Sequence, residues 1–265
     1  LYLPAGVIPP KLLTWLDESI LAGRLVRGDI LVHGNLGKDQ IPNRRILLGF
    51  SVANADLRFL PDWEEPVRHA DADVIVDRGG VWANIVTGEY FGQTLTSGQV
   101  TMPRVPQGEQ HILHVNVTTQ GPAQQGFPIL QVTPLGERTG EAVKDMQLAG
   151  DMAVKFDMAV PLDKGEQKTR ASADVTLRNG QFRLQSRNLQ IDAVSADVHF
   201  DLENGLSSPA ITGKALGGDI SGTIDAQPLP QGGQITALNF SGTAQIAALQ
   251  DWLKLSVLEP LSGTA

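Results

Sequence analysis

The sequence predicts a mainly β protein of long antiparallel strands with one or two short helices. Three observations predict it. From Met152 to Leu162 every even position is large and apolar: Met152, Val154, Phe156, Met158, Val160 and Leu162. Side chains alternate faces along a strand, so these six point one way, whereas a helix would scatter them round its circumference. Second, the same alternation recurs in segment after segment as far as Ala226. Third, 28 glycines, 16 prolines and only 5% aromatic residues describe a turn-rich chain with small inward side chains. At ~3.3 Å per residue, the Met152–Leu162 stretch spans on the order of 35 Å, long for a globular strand.

The elements follow in chain order. Leu1-Tyr2-Leu3-Pro4 is extended, and Pro9-Pro10 precedes an amphipathic helix. Leu12, Leu13, Leu16 and Ile20 make its stripe, with Trp15 at the edge, and Gly23 is its expected stop. Strands are expected around Ile30 and Val32, from Ile46 to Val52, and over Ala55, Leu57 and Phe59. Asp71 to Val76 is a strand, Gly79-Gly80 a turn, and Val81 to Val86 the return. Thr94 to Met102 is another strand, stopped by Pro103 and Pro106, and Leu113, Val115 and Val117 alternate in the next. From Gly121 to about Gln147 the chain is rich in Pro and Gly, with a short helix expected near Glu141 to Leu148. The module boundary is placed here, giving regions 1–145 and 146–265.

Beyond the Met152 strand, Val175 and Leu177 alternate with polar residues, and Asn179-Gly180 reads as a hairpin turn because both positions tolerate positive φ. Phe182 and Leu184 carry the return strand. Leu189 and Ile191 hold odd positions, but Val194, Ala196, Val198, Phe200 and Leu202 hold even ones, so Ala193 requires a bulge or tight turn. Asn204-Gly205 and Leu216-Gly217-Gly218 are turns, and Ile220, Ile224 and Ala226 alternate after the second. Ile246, Leu249, Trp252 and Leu253 predict a short helix before Pro260.

A net charge of −8 and a pI near 5.1 argue against nucleic acid, which needs a basic field. Cysteine is absent, so disulfide and thiol chemistry are too. No apolar run reaches the ~20 residues of a membrane span, and no signal peptide is visible. The first residue is not Met, and Leu261 to Ala265 reads like the beginning of a further strand. The sequence therefore reads as an excerpt of a longer polypeptide, with any membrane anchor outside it.

Catalytic patterns are weak. His111 and His114 are three apart, which on a strand puts them on opposite faces and makes them poor co-ligands. Asp71, Asp73 and Asp77 lack the glycine and closing Glu of a calcium loop and read as a solvated strand face. Gly217-Gly218-Asp219 is followed by no Lys-Ser/Thr, so it is a turn and not a phosphate loop. Ser207 and Ser208 have no nucleophile-elbow context. His33, His69 and His199 read as strand-face residues, and Trp63 as a loop tryptophan folded over a sheet edge. No catalytic residue, metal ligand or cofactor is expected.

Several phrases in order resemble a known family. Tyr2-Leu3-Pro4, Pro9-Pro10, Trp15-Leu16, Ala22-Gly23-Arg24-Leu25 and His33-Gly34-Asn35-Leu36 are similar to the opening of the central region of YhdP-family proteins. Phe50 to Leu60 followed by Pro61-Asp62-Trp63 resembles that family's aromatic-proline-tryptophan segment. Leu216-Gly217-Gly218-Asp219-Ile220-Ser221-Gly222 resembles the strand entry of an AsmA-like module, and Trp252-Leu253 with Leu261-Ser262-Gly263 the start of its next repeat. The match is weakest from Gln120 to Leu148.

The resemblance implies a Gram-negative envelope protein of the bridge-like lipid transfer superfamily, held to the inner membrane by an anchor outside this stretch. It implies a twisted sheet curled into an apolar trough through the periplasm, carrying phospholipid between the membranes and supporting the outer-membrane barrier. Region 1–145 would be the YhdP-type central part and 146–265 an AsmA-like module, truncated. The expected partners are phospholipid acyl chains and outer-membrane or envelope proteins. The expected lining is Met152, Val154, Phe156, Met158, Val160, Val175, Leu177, Phe182, Leu184, Val198, Phe200, Ile220 and Ile224. From pattern alone, the dry core of a two-sheet sandwich accounts for these faces at least as well, as does a stacked solenoid with a filled core. The resemblance turns the preference to the trough.

Overall fold

The structure is a computed structural model that describes residues 17–18, 20–34, 45–58, 65–78, 80–106, 108–127, 145–228 and 234–254. The strands are β1 (Ile20–His33), β2 (Arg45–Leu57), β3 (Val67–Asp77), β4 (Gly80–Tyr90), β5 (Gln93–Met102) and β6 (Ile112–Pro122). After α1 (Ala123–Gly126) come β7 (Met146–Pro161), β8 (Arg170–Leu184), β9 (Leu189–Asp201), β10 (Gly205–Ala215), β11 (Gly218–Pro228) and β12 (Gln234–Gly242), then α2 (Ile246–Leu253). All twelve strands belong to one sheet in chain order from β1 to β12, so each strand lies beside its sequence neighbours. A two-sheet sandwich is thereby replaced by a single antiparallel sheet that does not close on itself. Among the described residues no helix is long and apolar enough to cross a membrane.

Internal contacts divide the chain into two compact units. One comprises Leu1–Thr119 and Phe156–Ala171, the other Gln120–Lys155 and Ser172–Ala265. In the first unit, register stacks like with like. Ile30 opposes Leu48, which opposes Val76, then Val81, then Met102. Four residues along β2, Val52 opposes Ala72, which opposes Ile85 and then Gly98, whose missing side chain leaves room for Ile85 and Val117. Cross-strand pairs of this kind are the unit of sheet stabilisation. The intervening pairs, such as Ser51 with Asp73 and Asp73 with Asn84, lie on the other face.

Turn chemistry follows the sequence at several hairpins. Phe91-Gly92 and Leu216-Gly217 each hold two positive φ angles, as a type I′ turn demands. Asn204-Gly205 turns as expected, with Asp201 Oδ1 accepting the Glu203 and Asn204 backbone N–H groups. After β3, Asp77 lies opposite Gly80, and Gly79 of the expected turn lies outside the described residues. Helix α2 appears where the Ile246–Leu253 stripe places it, and β5 ends just before Pro103.

Three local expectations fail, each for a physical reason. Asn179-Gly180 is no hairpin. It lies inside β8 as a bulge, Asn179 at φ +49° and the register slipping between Leu177 and Gly180. Left-handed Asn before Gly serves a bulge as well as a turn. The chain reverses instead at the 3₁₀ turn Gln185–Arg187, closed by left-handed Asn188. Gly23 does not stop a helix, because β1 has begun at Ile20. Gly23 is a strand glycine at φ +145° whose absent Cβ would touch Ala55 at about 3.0 Å. Leu12, Leu13, Trp15 and Leu16 lie outside the described residues, as do Phe59 and Trp63. Of the helix expected near Glu141 to Leu148, residues 141–144 lie outside the described residues, and Met146 to Leu148 belong instead to β7. Helix α1 was not anticipated: its four residues carry no readable periodicity.

Bulges repeat across neighbouring strands. Asn54 in β2 and His69 in β3 both have positive φ at register slips. The backbone N–H groups there are taken by carboxylates next door: Asn54 N–H donates to Asp71 at 2.9 Å and His69 N–H to Asp56 at 3.2 Å. In the second unit Ala193 bulges at φ +50°, one strand from Asn179. Gly150 of β7, at φ +114°, sits so close to Gly180 that a Cβ would come within 2.6 Å of its Cα. Gly150→Ala is therefore expected to cost about 1–3 kcal/mol through strain and backbone clash. Gly49→Ala, where a Cβ meets nothing within 4 Å, is expected to be neutral or slightly stabilising. Urea midpoints at unchanged slope measure both.

Candidate functional site

The second unit concentrates its apolar residues on one face, and the β8–β9 register shows how. Ala173 opposes Phe200, Val175 opposes Val198, Leu177 opposes Ala196, Gly180 opposes Val194, Phe182 opposes Ile191, and Leu184 opposes Leu189. The two bulges, at Asn179 and Ala193, change parity on both strands near the same level. The apolar file therefore continues on one side through the slip instead of crossing to the other.

At the centre of the face lie Met152, Leu177, Ile191, Val194, Ala196, Ile211 and Ala215, each less than a tenth exposed, with Ala123 from α1. Leu148, Val154, Val175, Phe182, Leu189, Val198, Leu216, Ile220 and Ile224 are half-buried around it. Of the thirteen residues that the sequence nominates, Met152 and Leu177 are thus in the buried cluster, and Val154, Val175, Phe182, Val198, Ile220 and Ile224 border it. Phe200 is buried and Leu184 half-buried elsewhere in the unit. Phe156, Met158 and Val160 belong to the first unit, with Met158 buried and the other two half-buried.

The cluster also holds residues that the nomination missed. Ile191, Val194 and Ala196 already showed the alternating signal. Ile211 and Ala215 alternate with Thr212 and Lys214 on β10, but around Gly213 and with only one large side chain. A methyl group gives little amphipathic contrast, so Ala123 and Ala215 are faint in sequence and evident only from burial.

The other face is polar and pairs with itself. Asp174 meets His199 Nδ1 at 2.7 Å. Thr176 Oγ1 and Arg178 donate to Asp197 at 3.0 and 2.9 Å. Gln181 and Gln190 donate to Asp192, and Arg183 to Gln190. Hydrogen bonds from Thr176, then Arg178, hold the Asp197 carboxyl below the usual carboxylate range. Gln181 and Gln190 do the same for Asp192. These groups are exposed and spread along strands, so they make a solvated surface, not a converging set.

Of the residues weighed in the sequence, His111, His69 and the three aspartates are held by other groups. His111 Nδ1 meets Asp163 at 2.6 Å, and His69 Nδ1 meets Asn54 Oδ1 at 2.8 Å. Asp71 caps the Asn54 bulge, Asp73 accepts from Ser51, and Arg45 pairs with Asp77, lowering its pKa. Ser208 is buried, its hydroxyl donating to the Asp197 carbonyl at 2.8 Å. Among the described residues no group of three or more His, Cys, Asp or Glu is placed to hold a metal. What this arrangement offers chemically is an apolar surface backed by a wet one.

The family described as "YhdP protein" matches residues 1–265, the full chain. The chain is 24% identical over 267 residues to the intermembrane phospholipid transporter YhdP of Escherichia coli (strain K12). That alignment covers 99% of this chain and 20% of the relative, so the chain spans about a fifth of the relative's length. No solved structure matches significantly.

Two outcomes follow from the two faces. Leu177→Ala is expected to destabilise by about 2–4 kcal/mol, read from the urea midpoint. Asp197 has a folded pKa below its unfolded one, so its stabilisation is present above the unfolded value and lost as pH falls through the folded value. Asp197→Asn is expected to flatten the acid side of the stability–pH profile while leaving its neutral-to-basic shape unchanged.

Proposed function

We propose that this chain, which belongs to the YhdP family, forms one length of an apolar path along which phospholipid acyl chains move between the inner and outer membranes. The observation that carries the reading is the one-sided apolar file kept continuous through paired bulges in β8 and β9. Each CH₂ of an acyl chain left in water costs ~0.8 kcal/mol, so a conduit needs apolar surface without gaps. Val154, Val175, Phe182, Val198, Ile220 and Ile224 supply it half-exposed, the state a lipid-contacting side chain requires. The polar backs of the strands keep the body in the aqueous periplasm, with the inner-membrane anchor elsewhere in the polypeptide. Region 146–265 acts as the AsmA-like part of the path and 1–145 as the central part. Support for the outer-membrane barrier follows from delivery of lipid. The groups present call for binding and passage, with no bond made or broken.

Tight burial of Met152 and Leu177 favours a second reading, an envelope β module whose face packs on itself and takes no ligand. Native mass spectrometry separates the two. The path predicts copurified phospholipid, and the filled core predicts none. In the full-length protein, a photo-crosslinker at Val175 is expected to capture phospholipid. Val154→Asp with Phe156→Asp is expected to abolish transfer, because an unpaired charge interrupts the apolar surface. Transfer at the parental rate by the folded double variant sinks the path.

A further inference from the structure

One rim of the second unit is crossed by a helix tied at both ends. After β12 the chain returns past the neighbouring strand: Thr243 N–H donates to Asp219 O at 3.0 Å, and Gln245 N–H to Leu216 O at 2.9 Å. The Gln245 side chain lies over Gly217, where a Cβ would meet its Cδ at 2.7 Å. Helix α2 then runs to the β8–β9 turn, where Trp252 Nε1–H donates to Arg187 O at 2.7 Å. The helix therefore spans the ends of β8 to β11. Leu189 and Leu216, at those ends, are among the residues packed on the apolar cluster. Ile246, Leu249 and Trp252 are half-buried, while Leu253 is exposed.

The two attachments differ in kind. The near end has two backbone hydrogen bonds and a side chain seated on a glycine turn. The far end has one indole hydrogen bond to a carbonyl at an exposed turn. One net hydrogen bond biases an open–closed equilibrium by only about fivefold, and the half-buried Trp252 ring adds to it, so the far end is the more weakly held and the near end, with its two backbone hydrogen bonds, acts as hinge. We propose that α2 is a hinged strap across this rim, latched by Trp252, whose release admits or discharges acyl chains at that end of the apolar face. The proposal rests on the lipid path and adds a point of control to it.

The test uses the full-length protein, reconstituted between donor and acceptor vesicles of phosphatidylethanolamine and phosphatidylglycerol, with transfer of a fluorescent phospholipid as readout. In a full-length background with any other cysteines replaced by Ser, Arg187→Cys and Leu253→Cys, both exposed, form the reactive pair for a short, cleavable bismaleimide. Cross-linking is expected to slow transfer at least fivefold, with recovery on cleavage. Trp252→Phe, which keeps a ring but loses the donor, is expected to transfer no slower than the parent. A photo-crosslinker at Val175 is read in parallel. Unchanged transfer after cross-linking, with the lipid adduct at Val175 intact, overturns the strap and leaves the path standing. Slower transfer by Trp252→Phe also overturns the latch. Absence of the adduct in the unmodified protein overturns the path, and the strap with it.

Discussion

In a sheet with one apolar face, a slip of a single residue turns every following side chain to the wrong side. Strands of 13 to 16 residues, such as β2, β7, β8 and β9, run long enough for twist to accumulate and for such slips to arise. The protein absorbs them by matching bulges. Leu177 and Phe182 stand on positions of opposite parity, as do Ile191 and Val194, yet the pairs Leu177–Ala196 and Phe182–Ile191 meet across the slip. Had only one of the two strands bulged, apolar residues would face polar ones over half the length of the hairpin.

The bulges have their own chemistry. Asn54, His69, Asn179 and Ala193 all take a left-handed backbone that costs an L residue about a kcal/mol or more. Asn tolerates it best, and around Asn54 and His69 the freed N–H groups are met by Asp71 and Asp56. The aspartates that resemble a ligand cluster in sequence therefore do structural work on the wet face. Bulging also bends a strand and strengthens its right-handed twist. The proposed lipid path would gain from that curvature, since a flat sheet touches an acyl chain on one side only.

The same two-faced logic bears on how the proposed path stays in water. Polar pairs such as Gln181–Asp192 and Thr176–Asp197 satisfy one another across strands and hold the carboxylates ionised. They contribute solubility more than stability, because exposed pairs are worth little. The apolar face supplies the stability where residues such as Leu177 and Ile191 are buried, and leaves others half-open.

The sequence by itself determined the β class, the turns at Asn204-Gly205 and Leu216-Gly217, and helix α2, because each rests on periodicity or on a residue's own backbone preference. It also marked the parity change at Ala193. Only tertiary structure decided that Asn179-Gly180 continues a strand, since a bulge and a hairpin ask for the same dihedrals and differ in what the neighbouring strand offers. Here that neighbour is Gly150, with no side chain to obstruct the approach. Tertiary structure also decided that Gly23 lies in a strand, that Ala123 and Ala215 complete the cluster, and that Trp252 reaches a carbonyl 65 residues earlier. Those outcomes depend on partners distant in the chain, which no local pattern encodes.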